Sequence, residues 1–381
     1  MDLNDIRQEI DRIDDQLVSL FIERMNAVGQ VAFAKQQTGK PIMDHPRERA
    51  ILNRLTEKAG DAYAPYVKAL YSQLFDLSRS YQSGLMHYES PLAAKLTGAV
   101  AATAGRHLPD HALVACQGTE GSYGQQACEK LFAYPDILYF ETFDGVFRAV
   151  EKGMCRYGIL PIENSTAGSV TQVYDLMEKH DFHIVGAQKL RIDHRLMRKS
   201  GQSTTPIAEI VSHEQALRQC SEYLASHPEI RATAMENTAK AAEYVASCDR
   251  DDVACIASRV CGQLYGLDIV EDAIANNESN YTRFICIARK AEVYPGARKV
   301  SLMLNLAHEP GALSKVLNKL AIAGINVIKL ESRPLPGREF EFRFFFDIAA
   351  NIADPDVVRL LCELEARTDR FVFLGCYDEA E

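Results

Sequence analysis

The stretch IRQEIDRIDDQLVSLFIERMNAVGQVAFAK, Ile6–Lys35, carries the first decision about the fold. It contains no proline, and its single glycine is Gly29. Ile6, Ile10, Ile13, Leu17 and Leu20 alternate spacings of four and three, the signature of an apolar stripe on a helix. At 1.5 Å per residue such a helix is about 45 Å long. That is more than the rest of an 84-residue segment can cover, and the simplest partner is a second copy, so a homodimer or higher homo-oligomer is expected. Where the stripe would continue, cations appear instead: Arg24 and, eleven residues on, Lys35. Eleven steps of 100° fall within about 20° of three turns, which puts both on one face roughly 16 Å apart. Arg7 lies about 100° away from Arg24 on the same helix and suits a different pocket, such as a partner's. The alternative is that Arg24 and Lys35 extend to a solvated face.

Downstream, Gly39-Lys40-Pro41 reads as a turn and Asp44 as an N-cap, with Pro46 in the first turn of a second helix. Arg47 and Glu48 follow, and a third helix is expected from about Pro65 to Ser83, with Ser78 and Gln82 on one face. In order and spacing, Arg7, Arg24, Lys35, Asp44, Arg47, Glu48, Ser78 and Gln82 resemble the active-site set of the all-helical, intertwined-dimer chorismate mutases. The resemblance covers the whole of residues 1–84 and implies that Arg7 reaches a partner's site. It further implies that Arg7, Arg24 and Arg47 hold carboxylates, that Lys35 and Gln82 face the ether oxygen, and that Glu48 accepts a ring hydroxyl. The rearrangement of chorismate is unimolecular. It needs a compact conformer and hydrogen bonds to the oxygen that gains charge, but no cofactor.

At 381 residues the chain suffices for two or three domains. A net charge of −10 argues against nucleic acid, and no apolar run approaches the roughly 20 residues of a membrane span. The acidic start, Met1-Asp2-Leu3-Asn4-Asp5, is unlike a signal peptide, so a cytoplasmic protein is expected. The ten cysteines contain no CxxC pair, and Cys248, Cys255 and Cys261 fit no zinc spacing, so buried thiols and no metal are expected. Residues 85–110, with Ser90-Pro91, an Ala/Gly-rich stretch and Leu108-Pro109, read as a linker.

From about 111 to 290 short apolar runs alternate with helical patterns. Strands are expected at Ala112–Cys116, Ile137–Phe140, Gly158–Ile162, Ile207–Val211, Val253–Ala257 and Phe284–Ala288, with helices such as Gly145–Lys152 and His213–Leu224. In such folds polar residues at strand–helix transitions gather ligands. Three transitions stand out: Glu163-Asn164-Ser165-Thr166, Ser212-His213-Glu214-Gln215 with Gln219 beyond it, and Asn280-Tyr281-Thr282-Arg283-Phe284. Together they resemble the signatures of prephenate dehydratases, which implies a two-lobed α/β domain with its substrate in the cleft. By that resemblance Thr282 is the key residue, and its hydroxyl suits donation of a hydrogen bond to the departing hydroxide better than full protonation. Glu163 is a candidate acid, on condition that burial keeps it protonated. Asn164, Ser212, Gln219 and Arg283 complete the expected prephenate site, Arg283 in a structural or carboxylate-orienting part. One motif departs from the family's Gly-Pro-x-Gly-Ser/Thr-Tyr/Phe-Ser loop: here it reads Gln117-Gly118-Thr119-Glu120-Gly121-Ser122-Tyr123-Gly124, with Thr119 for proline and Gly124 for the last serine.

Residues 299–378 read strand, helix, strand, strand, helix, strand: Val300–Leu306, a helix opened near Pro310, Ile325–Leu330, Glu339–Ile348, a helix opened by Asp354-Pro355, and Phe371–Cys376. That order suits a ferredoxin-like α+β sandwich. Gly311, Ala312 and Leu313, with Glu331, Ser332 and Arg333, resemble the two phenylalanine-contact motifs of regulatory ACT domains. The resemblance implies side-by-side pairing of these domains around L-phenylalanine. The expected whole is a multi-domain enzyme turning chorismate into prephenate and prephenate into phenylpyruvate. The alternatives are a non-catalytic sensor, a dehydratase that prefers arogenate, and a helical part that acts as a lyase on isochorismate.

Overall fold

The computed structural model describes residues 2–86, 90–201, 205–277, 279–335, 337 and 341–380. The chain divides into two compact units, Met1–Lys95 with Pro355–Arg367, and Leu96–Asp354 with Thr368–Glu381.

The helical unit contains α1 (Leu3–Thr38), α2 (His45–Ala59) and α3 (Ala64–Leu85). Helix α1 runs unbroken for 36 residues and ends where Gly39 adopts φ 65°, a left-handed conformation open to glycine. Asp44 caps α2 by accepting from the Arg47 N–H at 3.1 Å. The residues Ile6, Ile10, Ile13, Leu17 and Leu20 are 42–61 % exposed, and only Gly29 and Ala32 of α1 are buried. These are the residues whose spacing led to the expectation of a partner chain.

A fourth helix, α4 (Pro91–Thr103), occupies the segment read as a linker. Ser90 accepts from the Leu92 N–H at 3.1 Å and starts it. The alanines that suggested a featureless spacer are strong helix formers.

The second unit opens with β1 (His111–Gln117), α5 (Tyr123–Leu131), β2 (Tyr134–Phe140), α6 (Phe143–Glu151), β3 (Tyr157–Asn164), β4 (Gly168–Ser169), α7 (Thr171–Met177) and β5 (His183–Arg191). A second lobe follows: β6 (Arg195–Lys199), β7 (Glu209–His213), α8 (Glu214–Gln219), α9 (Ser221–Ser226), β8 (Arg231–Met235), α10 (Thr238–Ser247), β9 (Val253–Ala257), α11 (Arg259–Tyr265) and β10 (Leu267–Glu271). It forms its own five-stranded sheet in the order β10-β6-β9-β7-β8. The chain then returns as β11 (Tyr281–Ala288), between β5 and β3 of the first sheet. Two connections, β5 to β6 and β10 to β11, therefore join the lobes, and Thr282 at the start of β11 meets Asn164 at the end of β3 in register.

The C-terminal part supplies β12 (Lys299–Asn305), α12 (Ala312–Ile322), β13 (Val327–Pro334), β14 (Phe342–Ala349), α13 (Pro355–Glu365), β15 (Arg370–Tyr377) and β16 (Glu379–Ala380). Strands run antiparallel in the order β13-β14-β12-β15, the expected ferredoxin-like arrangement. Glu339, where the third strand was expected to begin, lies outside the described residues. The two sheets are continuous, because β15 and β16 pair with β5. The junction is tight: a Cβ on Gly375 would lie 2.0 Å from the Ile184 carbonyl oxygen. The ten cysteines are free thiols, eight of them buried, and among the described residues no helix is long and apolar enough to cross a membrane.

Candidate active sites

In the helical unit the first candidate site lies between α1 and α3. The buried face of α3 carries Phe75, Ser78 and Gln82 at helical spacing. Arg24 donates from Nη1 to Ser78 Oγ at 2.5 Å, and Ser78 in turn donates to the Leu74 carbonyl. Gln82 donates from Nε2 to the Ser78 carbonyl at 3.2 Å. Its Oε1 is buried with no partner among the described residues, which marks a place for a donor. Lys35 reaches the Ile42 carbonyl at 2.5 Å across the turn between α1 and α2. Glu48 is half-buried and paired with Arg79, a residue that spacing alone did not bring forward. Asp44 serves as the α2 cap, and Arg47 is exposed. Arg7 is exposed too, and on an unbroken helix it lies 17 residues, or about 25 Å, from Arg24. One copy of the chain therefore does not bring Arg7 to this pocket.

The second candidate site lies in the second unit, around a cavity of about 540 Å³ lined by Thr166, Ala167, Gln215, Arg218, Gln219, Asn276, Asn277 and Asn280. Asn164, 6 % exposed, lies behind this lining and bonds Thr166, Ala167 and Asn280 of it. Its Oδ1 accepts from the N–H groups of Thr166 (3.1 Å) and Ala167 (2.9 Å), which can only donate, and from the Thr166 hydroxyl at 2.7 Å. The amide orientation follows: Nδ2 points the other way and donates to Asn280 Oδ1 (2.7 Å) and to Thr282 Oγ1 (3.0 Å). Since Thr282 Oγ1 accepts this bond, its own proton is not spent on Asn164.

Gln219, from α8, donates to Thr166 Oγ1 at 2.9 Å and accepts from His194 at 2.9 Å. His194 is buried, which lowers its pKa and keeps the ring neutral. Its Nε2 must then carry the proton to meet Gln219 Oε1. Asn280, Thr166 and His194 were not singled out as site residues; each acts through contacts between segments distant in sequence.

Three expected residues sit elsewhere. Ser212 is fully buried in β7, its hydroxyl turned to the Ile256 carbonyl of the neighbouring strand at 2.5 Å, so it does not line the cavity. Glu163 and Arg283 pair across the sheet beside Asn164 and Thr282. Side chains alternate along a strand, so this pair points to the opposite face. There Arg283 Nη1 meets Glu163 at 2.8 Å, and its Nε lies 3.0 Å from Glu379 in ion-pair geometry. Lys329 of β13 meets Glu163 at 3.0 Å. Burial pushes the Glu379 carboxyl up, but the hydrogen bond from Lys299 and the charge of Arg283 outweigh it and hold it below the usual range. Arg283, pushed down by burial, is raised on balance by Glu379, Glu163 and Asp347. Glu163 thus sits among cations on the face away from Thr282, an arrangement unlike that of a proton donor to the same ligand.

The altered loop packs against the start of α11. Gly118 and Gly121 have φ of 108° and 87°, and the Gly121 carbonyl accepts from Cys261 at 3.2 Å. A Cβ at Gly124 would lie 2.6 Å from Cys116 Sγ, so the thiol fills the space a serine there would need.

In the C-terminal part, Gly311 takes φ 85° just before α12, with Ala312 and Leu313 in its first turn. Strand alternation turns Lys329, Glu331 and Arg333 inward, where Glu331 accepts from Ser169 (2.7 Å) and Arg333 pairs with Asp175 (2.9 Å). Ser332, between them, is exposed.

Three family models match consecutive parts of the chain: Chorismate mutase type II over residues 6–83, Prephenate dehydratase over 114–292 and ACT domain over 300–366. The bifunctional chorismate mutase/prephenate dehydratase of Escherichia coli K12 is 32 % identical over 386 residues, covering 98 % of this chain and 95 % of that protein. An Arabidopsis thaliana protein, "Arogenate dehydratase/prephenate dehydratase 2, chloroplastic", is 37 % identical over 276 residues, 69 % of this chain and 72 % of its own. A solved structure of prephenate dehydratase from Arthrobacter aurescens in complex with L-Phe matches with a TM-score of 0.64 at 25 % identity, over 70 % of this chain and 90 % of that one. The helical pocket, the cleft built around Asn164 and the ferredoxin-like end follow one another as these domains do, and the chain belongs to the family of bifunctional chorismate mutase/prephenate dehydratases.

Proposed function

We propose that the chain rearranges chorismate to prephenate at the helical pocket and converts prephenate to phenylpyruvate in the cleft, under inhibition by L-phenylalanine. In the helical pocket Arg24 and Arg47 hold substrate carboxylates, with Arg7 supplied by a second copy. Lys35 and Gln82 donate to the ether oxygen as negative charge develops there, and Glu48 accepts a ring hydroxyl. The burial of Gln82 beside Ser78 and the exposed stripe on α1 support this reading, in which the Gln82 amide turns its Nε2 to the substrate. A long apolar face in water favours association, and association is the route by which Arg7 enters a pocket.

The observation that carries the dehydratase part is the bond from Asn164 Nδ2 to Thr282 Oγ1. It leaves the threonine proton for the departing hydroxide, while Gln219 and Asn280 hold the substrate. Loss of hydroxide and CO2 from the same ring leaves an aromatic product, so help to the leaving group suffices. Glu163 and Arg283 buttress the strand pair from behind rather than donate a proton. The C-terminal motifs Gly311–Leu313 and Glu331–Arg333 hold L-phenylalanine between paired copies. The chain works in the cytoplasm without cofactor.

Incubation of purified protein with chorismate tests this directly. Phenylpyruvate is the expected product, and its formation should fall when L-phenylalanine is added. Prephenate alone would refute the cleft assignment, and no turnover would favour a sensor. Faster turnover of arogenate than of prephenate would reassign the second substrate.

A further inference from the structure

The buried face of α3 that meets Arg24 is not its only polar face. Asp76 and Arg79 lie one turn apart beside Ser78, and both are largely covered: their side chains are 17 % and 12 % exposed. Arg79 Nη1 bonds the Glu48 carboxylate, and its Nη2 bonds Asp76 at 2.5 Å. The same Asp76 oxygen accepts from Arg367, just beyond α13, at 3.1 Å. Burial and the nearby Arg79 pull the Arg367 guanidinium below its ordinary pKa, so this cation is held in place against electrostatic resistance.

We propose that Arg79 is a positioning residue of the mutase site: it holds the Glu48 carboxylate at the pocket, and it is itself held by Asp76 and Arg367. The inference rests on the reading above that Glu48 meets the substrate. Glu48 stands in the first turn of α2, on a flexible side chain that can otherwise turn to water. A planar guanidinium can bind two carboxylates at once in fixed directions, which an ammonium cannot. Arg79 thereby converts a mobile acceptor into an oriented one, and orientation is the main lever on a unimolecular rearrangement. Arg367 lies in the stretch Pro355–Arg367 of the same compact unit, so the four charges follow one another within that unit.

The test is a double-mutant cycle in the full-length protein, with mutase kinetics, dehydratase kinetics and thermal melting read together. Arg79→Met is expected to lower mutase kcat/KM by about 10- to 100-fold, with dehydratase activity unchanged. Arg79→Lys should recover part of the loss, and Arg367→Met should give a smaller loss, about threefold. In a Glu48→Gln background, itself impaired, Arg79→Met should cost little more. A loss of the same size in both backgrounds, or Arg79→Met kinetics within twofold of the parent, overturns the proposal. If Arg79→Met melts the helical unit, Arg79→Lys decides: full mutase activity with one charge retained refutes orientation by the fork. A fully active Glu48→Gln variant would instead overturn the reading of the pocket.

Discussion

Asn164→Asp changes one NH2 group to an oxygen and should reverse a proton in the dehydratase site. In the parent, Nδ2 is surrounded by acceptors: Asn280 Oδ1 at 2.7 Å, the Tyr281 carbonyl at 3.2 Å and Thr282 Oγ1 at 3.0 Å. The backbone donors of Thr166 and Ala167 pin the other oxygen, so the carboxylate cannot rotate to avoid them. Asn280 can flip its amide to donate, but the Tyr281 carbonyl cannot. The Thr282 hydroxyl rotates to donate to the carboxylate, and its proton is lost to the substrate. The stability cost is about 1–3 kcal/mol for the misplaced acceptor. The kinetic cost is that of one donor to a developing anion, about 10²–10³ in kcat. Thr282→Ala should cost a similar factor, and the double variant little more, because both remove the same proton. As pH falls, the introduced carboxyl protonates and its O–H donates to Thr282 as the amide did, so activity should rise toward the parent's. The assay is phenylpyruvate formation from prephenate, with an enzyme-free control for the acid-labile substrate and mutase activity as a check on folding. Asn164→Asp within fivefold of the parent at neutral pH, with the mutase intact, would refute the proton assignment.

Gln82 is neutral at every pH, so mutase activity should be nearly flat around neutrality. Gln82→Glu should be active only in acid, and full activity of that variant at pH 8 would contradict donation to the ether oxygen. Gly124→Ser should destabilise the second unit by roughly 1–3 kcal/mol, since its Cβ meets Cys116 Sγ at 2.6 Å. Adding Cys116→Ala should recover most of that in urea melts, and no recovery would mean that the strain lies elsewhere. His194 titrates below its ordinary 6.5 because it is buried, so the unfolded chain takes up its proton first as pH falls. The stability that a neutral His194 preserves is present above pH 6.5 and lost below it. Urea midpoints should therefore fall below that pH, and less steeply in His194→Gln; equal slopes would exclude the ring as the cause.

The helical half was largely legible because its information is local. The three-four spacing from Ile6 to Leu20 implies one continuous helix, and a continuous helix places Arg7 about 25 Å from Arg24 whatever surrounds it. The strand–helix order of the C-terminal part was readable for the same reason, since apolar period and turn residues act over a few positions. The Ala-rich segment after Ser90 shows the limit of composition: it read as a spacer, yet alanine favours the helix that forms there.

The dehydratase cleft depended on tertiary structure. The apolar run suggested a strand ending at Ile162, but pairing with β11 extends β3 through Asn164. With two more residues in the strand, alternation puts Asn164 and Thr282 on one face, where they bond each other, and the adjacent Glu163 and Arg283 on the opposite face. Ser212 was withdrawn from the site by the same rule acting in the second lobe. Arg79, paired with Glu48, joins helices whose contact no spacing announces. The sequence by itself determined which helices and strands form, and which residue types stand at their ends. Which of two neighbouring polar residues joins the hydrogen-bond network behind the cavity was decided by strand register, because a shift of one residue exchanges the faces and the register is set by partners more than a hundred residues away.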